Sequence, residues 1–329
     1  MRYIIYGAGG IGGTIGAMLL GSGAEVLFIA RGEHGQRLQD DGLRFISPSG
    51  TTQLAVDAAL HPSEVKFRKG DVVLLCVKSQ QTQAALEDLR AASTEFPELA
   101  VICAQNGVHN ESLALRYFRR VYAMLVLLPA THLTPGEVVC SAASPAGVLD
   151  SGRYPGGVDP LVETLCADLR SAGFSATADA RVMRKKYSKL LANLINSVQA
   201  MLPLNQVEAA PVQSLLRQLR QEAVDCYTAA GIECASKAEF QALAAQLNYQ
   251  PVPGFDRLGG SSWQSLKRGT GDIEADYLNG EIVRLGRLHG VATPANEVCQ
   301  RLAVSMARSG APVSSLTIAH IQQHIDALG

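Results

Sequence analysis

Tyr3-Ile4-Ile5-Tyr6-Gly7-Ala8-Gly9-Gly10-Ile11-Gly12 opens the chain, and its reading decides the fold. A short β-rich apolar run is followed by a G-x-G-x-x-G turn, and the turn by a helical pattern through Ala17-Met18-Leu19-Leu20. Strand, glycine turn and helix in that order are the context in which this pattern carries meaning. Gly7 permits the tight turn, Gly9 lets backbone approach a pyrophosphate, and Gly12 allows the helix to pack closely on the strand. The helix start offers unpaired N–H groups and the positive end of its dipole. Gly7, Ala8, Gly9, Gly10, Ile11 and Gly12 are therefore candidate dinucleotide-binding residues. The competing reading is a tight strand-to-helix turn that binds nothing.

Working outward, further apolar runs of strand length follow: Glu25 to Ala30, Asp71 to Val77 and Leu99 to Cys103. Continuous apolar strands separated by helical stretches predict a parallel sheet covered on both faces. Tyr122 to Leu128 and Glu137-Val138-Val139 are read as further strands near the far side of that sheet. From about Ala180 the periodicity is helical, broken at Pro203, Pro251 to Gly254, Gly259-Gly260, Gly290 and Pro294. The expected organisation is an α/β, Rossmann-type dinucleotide-binding domain over residues 1–180, then an all-α substrate and catalytic domain over 181–329. The stretch from Pro251 to Gly260 is expected to be the most mobile loop.

The length of 329 residues suits two domains, each large enough for a core. With 29 Lys plus Arg against 30 Asp plus Glu, the chain lacks the basic excess of a nucleic-acid binder. Its seven cysteines never form a Cys-x-x-Cys pair, which argues against a structural zinc site and against a disulfide framework. No metal is expected, and reduced thiols point to a cytoplasmic protein. No apolar run is long enough to span a bilayer, and no secretory signal is evident. The helical half offers a surface for a homodimer.

The second strand ends in Ala30-Arg31-Gly32, where sites for NAD usually carry an acid. A guanidinium there suits a 2′-phosphate, so Arg31 favours NADP(H); Glu33 keeps NAD open. Lys78 and Asn106 each follow a strand, and in an open α/β sheet such positions line the ligand crevice. Asn106-Gly107 is also a common turn pair. In Lys189-Leu190-Leu191-Ala192-Asn193-Leu194-Ile195-Asn196, about 100° per residue puts Asn193 and Asn196 within about 40° of Lys189. Asparagines are poor helix formers, so two of them beside a lysine suit a polar substrate site as well as a wet helix face. Lys189 is a candidate proton donor to a nascent alkoxide once partial desolvation lowers its pKa. Lys185 and Lys186 act in the same direction where they lie close, and are equally readable as surface charges. Glu274 and Asp276 stand where a helix is expected to begin, and there acids complement its dipole.

The chain resembles the ketopantoate reductase (2-dehydropantoate 2-reductase) family over nearly its whole length. The resemblance rests on Gly7-x-Gly9-x-x-Gly12, Arg31, Val77-Lys78, Gln105-Asn106-Gly107 and Lys189-Leu190-Leu191-x-Asn193. It continues through Glu274-x-Asp276-Tyr277-Leu278-Asn279-Gly280 and His289-Gly290-Val291-x-Thr293-Pro294. It implies NADPH-dependent reduction of the 2-oxo group of ketopantoate to pantoate, for pantothenate and coenzyme A synthesis. It further implies Lys189 as proton donor, Glu274 as an acid that meets substrate or assists that lysine, and Asn106 beside the nicotinamide. Lys78 is implied on the cofactor side, and Asn193 with Ser261 or Ser262 as substrate ligands. The family's second asparagine, eight residues after the lysine, is here Ser197, with Asn196 one residue before it. Ser265 stands where an aspartate is common. These departures concern the substrate end, so another small 2-oxo acid is an alternative. A catalytically inactive NADP-binding sensor is a second alternative.

Overall fold

The computed structural model describes residues 1–255, 259–269 and 271–328. By contacts it divides into two compact units, one of residues 1–186 with 236–257, the other of residues 187–235 with 258–329. The first unit therefore takes back a later segment, a return that the change of texture near Ala180 does not signal.

In the first unit, β1 (Arg2–Tyr6) leads into α1 (Gly10–Gly21), β2 (Glu25–Ile29) and α2 (Gly32–Asp40). Then come β3 (Leu43–Ser47), β4 (Gly50–Leu54), β5 (Asp57–Ala59), β6 (Asp71–Leu75), α3 (Thr82–Ala92) and β7 (Ala100–Cys103). The series closes with α4 (Asn110–Ala114), β8 (Arg120–Met124), β9 (Ala130–Thr131), β10 (Glu137–Cys140), β11 (Ser151–Arg153) and α5 (Pro160–Ser171). The main sheet has the order β11-β8-β7-β6-β1-β2-β5, parallel except for β11. Its six parallel strands, numbered among themselves along the chain, run 3-2-1-4-5-6, the doubly wound order. The order reverses between β1 and β6.

Strand alternation explains why the apolar runs are unbroken. Tyr3, Ile5, Leu74 and Ile102 join one buried cluster with Ile15 and Leu19 of α1 and Val162 and Leu165 of α5. Ile4, Val73, Leu75 and Val101 join the opposite cluster with Leu86 and Leu89 of α3. Both faces of each strand are covered, so neither set of alternate positions can be polar.

One strand assignment needs correction. Glu137 to Val139 does form a strand, but it lies in a second sheet of order β4-β3-β10-β9, not at the far side of the first. The β3–β4 hairpin, with Ser47 opposite Gly50, and the parallel pairing of β10 with β3 build that sheet. The hairpin strands are short and half polar (Leu43-Arg44-Phe45-Ile46, then Thr51-Thr52-Gln53-Leu54), which hides them among the helical segments.

The division between units falls within α6 (Val182–Asn193), after Lys186; α7 (Ile195–Met201) and α8 (Ala210–Ala230) follow. The returning segment holds α9 (Lys237–Ala244), begun by a reciprocal Ser236–Glu239 capping box. Its tail is tied to the first unit by Ser175 Oγ donating to Gln246 Oε1 (2.6 Å) and Ala143 N to Asn248 O (2.9 Å). Of the expected loop at 251–260, residues 256–258 lie outside the described residues, while Val252 and Phe255 form an isolated bridge.

The second unit is helical: α10 (Ser261–Lys267), α11 (Asn279–His289), α12 (Pro294–Ser309) and α13 (Ile318–Asp326) complete it. Here His289-Gly290-Val291-x-Thr293-Pro294 is structural. Gly290 ends α11 in the left-handed region (φ 70°), Val291 N donates back to Gly286 O (2.9 Å), and Pro294 begins α12. Buried Glu222 of α8 then accepts from the amides of Ala295 (2.9 Å) and Asn296 (3.0 Å), capping α12 with a charge that favours its dipole. All seven cysteines are free thiols. Among the described residues no helix is long and apolar enough to cross a membrane.

Candidate active site

The glycine turn lies where the main sheet's order reverses, the place where open α/β sheets bind ligands. Each position has its own reason. Gly7 has φ of 101°, and a Cβ there would meet Val77 N at 2.8 Å, so only glycine fits between β1 and the end of β6. A Cβ on Gly12 would sit 2.2 Å from Gly7 O, which sets how closely α1 packs on β1. A Cβ on Gly9 would meet nothing within 4 Å. That opening lies at the N-cap of α1, where no side chain caps the helix and no acid stands in the first turn. Free amides with an open approach fit a pyrophosphate.

The remaining residues of the turn face the protein. A Cβ on Gly10 would meet Ala130 O at 3.3 Å, so this glycine admits the second sheet. Ile11 packs on the first unit's core, and Ala8 is buried with its carbonyl bonded to His34. Arg31 follows β2 as the N-cap of α2, exposed, with Glu33 exposed in the first turn of that helix.

Lys78 and Asn106 are fixed by a buried polar network. Gln105 Nε2 donates to Val77 O (2.7 Å) and Thr82 Oγ1 (2.8 Å), tying the ends of β6 and β7 together. Thr82 Oγ1 donates to Asn110 Oδ1 (3.0 Å), and Asn110 Nδ2 donates to Ser79 Oγ (3.2 Å) and Asn106 O (3.2 Å). Asn106 and Lys78 are both half-buried at the rim of this network. The donors of this network are paired, while Gln105 Oε1 is buried without a hydrogen-bond partner among the described residues, and the paired donors keep both loops in place.

Lys185 and Lys186 are both paired with carboxylates. Lys185 Nζ lies 2.7 Å from Asp150 and 2.8 Å from Asp179, so its charge is offset. Lys186 is 3 % exposed, its ammonium 2.5 Å from Glu111, which is 0 % exposed. Its hydrogen bonds go to the carbonyls of Gln105 (3.0 Å) and Met124 (3.2 Å). This ion pair, unforeseen in the sequence, ties the start of α6 to α4 within the first unit. The sole hint was two adjacent lysines, of which a helix can bury one.

In the second unit, Lys189 is half-buried and Asn193 is the last residue of α6. The helix breaks at Leu194 and resumes as α7, so the single ideal helix face drawn from Lys189 to Asn196 does not continue unbroken. Asn196 is buried, and its Nδ2 donates to Ser261 Oγ (3.3 Å) at the start of α10. A Cβ on Gly260 would strike Asn196 Oδ1 at 2.7 Å, so glycine before α10 makes this approach possible. Ser197 turns its hydroxyl back onto Leu194 O (3.2 Å). Ser262 is 2 % exposed, and its hydroxyl has no hydrogen-bond partner among the described residues. A buried hydroxyl without a partner is the kind of group that a bound polar molecule satisfies. Glu274 is buried in a 3-10 turn (Glu274–Tyr277), one turn ahead of α11, not in the first turn of an α-helix.

Comparison with known proteins places this geometry in context. A sequence model described as ketopantoate reductase PanE/ApbA matches residues 3–153, and one described as ketopantoate reductase PanE/ApbA C terminal matches residues 181–306. The 2-dehydropantoate 2-reductase of Halobacterium salinarum is 28% identical over 305 residues, spanning 89% of this chain and 95% of that protein. That of Pyrococcus abyssi is 25% identical over 297 residues, spanning 90% and 94%. Among solved structures, a PanE/ApbA family ketopantoate reductase from Ralstonia eutropha superposes with a TM-score of 0.79 at 29% identity, covering 94% of this chain and 99% of that one. A D-mandelate dehydrogenase solved with NADH and anilino(oxo)acetate gives 0.80 at 22% identity, covering 94% and 99%, a likeness of fold.

Proposed function

The chain belongs to the PanE/ApbA ketopantoate reductase family, and from that premise we propose that it reduces the 2-oxo group of ketopantoate to (R)-pantoate, for pantothenate biosynthesis, with NADPH. The observation that carries the reading is the open, uncapped glycine turn at the switch point of the sheet, in a chain whose both parts match the family.

A bound nicotinamide dinucleotide supplies hydride to the carbonyl carbon; the rest falls to this chain's residues. The amides at the start of α1 receive the pyrophosphate, and Gly9 leaves room for it. Arg31 offers a guanidinium to a 2′-phosphate, which selects NADPH over NADH. Lys78 and Asn106, braced by the Gln105 network, stand on the cofactor side. Lys189 gives a proton to the alkoxide oxygen as charge develops there, and its cation stabilises that charge beforehand. Asn193, the Asn196–Ser261 pair and Ser262 hold the polar parts of the 2-oxo acid. Glu274 assists Lys189 or meets the substrate. Residues 1–180 act in this reading as the cofactor domain and 181–329 as the substrate domain.

The test is NADPH consumption by purified protein over a panel of small 2-oxo acids, with NADH in parallel. Ketopantoate with NADPH is expected to give the highest kcat/KM. A higher value for another 2-oxo acid reassigns the substrate, and dinucleotide binding without turnover of any acid favours a sensor. Arg31→Ala is expected to weaken NADPH by about 10–100-fold while NADH changes little, since hydrogen bonds to charged groups are worth about 1.5–3 kcal/mol. Equal losses for both would remove Arg31 from phosphate recognition.

A further inference from the structure

His34 of α2 joins the glycine turn to the second sheet. Its Nε2 lies 2.8 Å from Ala8 O, and the amide of Gly136, in the turn before β10, donates to its Nδ1 at 2.9 Å. An amide can only donate and a carbonyl can only accept. Nδ1 must therefore be bare and Nε2 must carry the proton, which makes His34 a neutral imidazole with both nitrogens used. Its ring lies 4.2 Å from that of His132, whose own Nδ1 bonds Glu137 O (2.9 Å). The same stretch of the second sheet presses on the turn: a Cβ on Gly13 would meet Val138 Cγ2 at 2.6 Å and Ala8 O at 2.8 Å. The turn is thus clamped between the second sheet and one histidine, three residues after Arg31.

We propose that neutral His34 is the positioning residue that holds the pyrophosphate turn in its binding shape, and that its protonation uncouples the turn from the second sheet and weakens dinucleotide binding in acid. This rests on the dinucleotide reading above. An imidazolium would set an N–H against the N–H of Gly136, so the bond to Nδ1 is lost on protonation. Burial holds His34 below the usual histidine range, and its bond to the Ala8 carbonyl opposes that only in part. A histidine whose folded pKa is depressed contributes stability that is full above the ordinary imidazole range and is lost as pH falls through that range toward the folded value. The charged and titratable neighbours are Arg31, Glu33 and Arg37 on its own helix, Glu137 with its partner Arg44 on the second sheet, and His132. The glycine turn itself carries none.

Dinucleotide affinity, measured by fluorescence titration without substrate, decides the matter. His34→Ala is expected to weaken NADPH and NADH alike by about tenfold, the worth of one good buried hydrogen bond, with their ratio unchanged. His34→Gln, whose carboxamide offers one donor and one acceptor and does not titrate, is expected to restore most of that affinity. The 2′-phosphate also titrates near pH ~6, so the acid arm uses NADH. From about pH 7.5 to about pH 5.5, wild-type affinity for NADH is expected to fall several-fold more than that of His34→Gln. The melting temperature of the dinucleotide-free protein should follow the same contrast. Wild-type affinity in His34→Ala, or the same acid loss in His34→Gln as in wild type, overturns the proposal. Failure of the wild type to bind either dinucleotide overturns instead the reading on which it rests.

Discussion

The glycine turn and the Asn196–Ser261 pair are built by opposite strategies. In the first unit, backbone does the work: Gly7, Gly9 and Gly12 lie within six positions, main chain close by requires Gly7 and Gly12 to be glycine, and Gly9 faces open space. The second unit assembles side chains from segments far apart. Asn196 and Ser261 stand 65 residues apart in sequence and meet because α7 and α10 pack together. A site made from local backbone tolerates little change in its own residues and much elsewhere. One made by helix packing can be retuned by single side chains.

The strongest way to break the comparison is to remove chemistry from the second unit alone. Lys189→Ala is expected to lower kcat by about 10²–10⁴ while dinucleotide affinity, measured by titration, stays near wild type. Unchanged turnover would take Lys189 out of the reaction. Next comes the scaffold of the first unit. Lys186→Met leaves Glu111 charged and buried without its partner and should cost about 3–5 kcal/mol in denaturant unfolding; adding Glu111→Gln should recover part of that loss.

Within the glycine turn, two substitutions of the same size should separate fold from function. Gly12→Ala forces a methyl against Gly7 O and should destabilise by about 1–3 kcal/mol. Gly9→Ala meets nothing, so its melting temperature should hold while dinucleotide affinity falls by about tenfold or more, the change being paid only in the bound state. A Gly9→Ala protein that binds normally would show that the opening is not used. The smallest effect is expected for Asn196→Ala, where KM for the 2-oxo acid should rise about fivefold with kcat little changed, the mark of one hydrogen bond to substrate. A fall in kcat without a rise in KM would assign Asn196 to catalysis.

Sequence alone carried the α/β class with its helical second part, the glycine turn and the loop positions of Lys78 and Asn106. It could do so because a buried parallel strand must be apolar on both faces, and because the glycines of a strand-to-helix dinucleotide turn keep a fixed spacing. Tertiary structure decided the rest. The half-polar strands of the second sheet show little apolar periodicity, so Glu137–Cys140 could be assigned to its sheet only once β3 was seen beside it. The ideal helix face from Lys189 to Asn196 assumed an unbroken ladder, and the ladder breaks at Leu194. Lys186 reads as solvated in any local window; the carboxylate and carbonyls that let it be buried come from residues 62 and more positions away. His34 likewise looks like one polar residue of an exposed helix, and its partners Ala8 and Gly136 lie 26 and 102 residues away. Local sterics are written in neighbouring residues, whereas the pairing of buried polar groups depends on which distant segments the fold brings together.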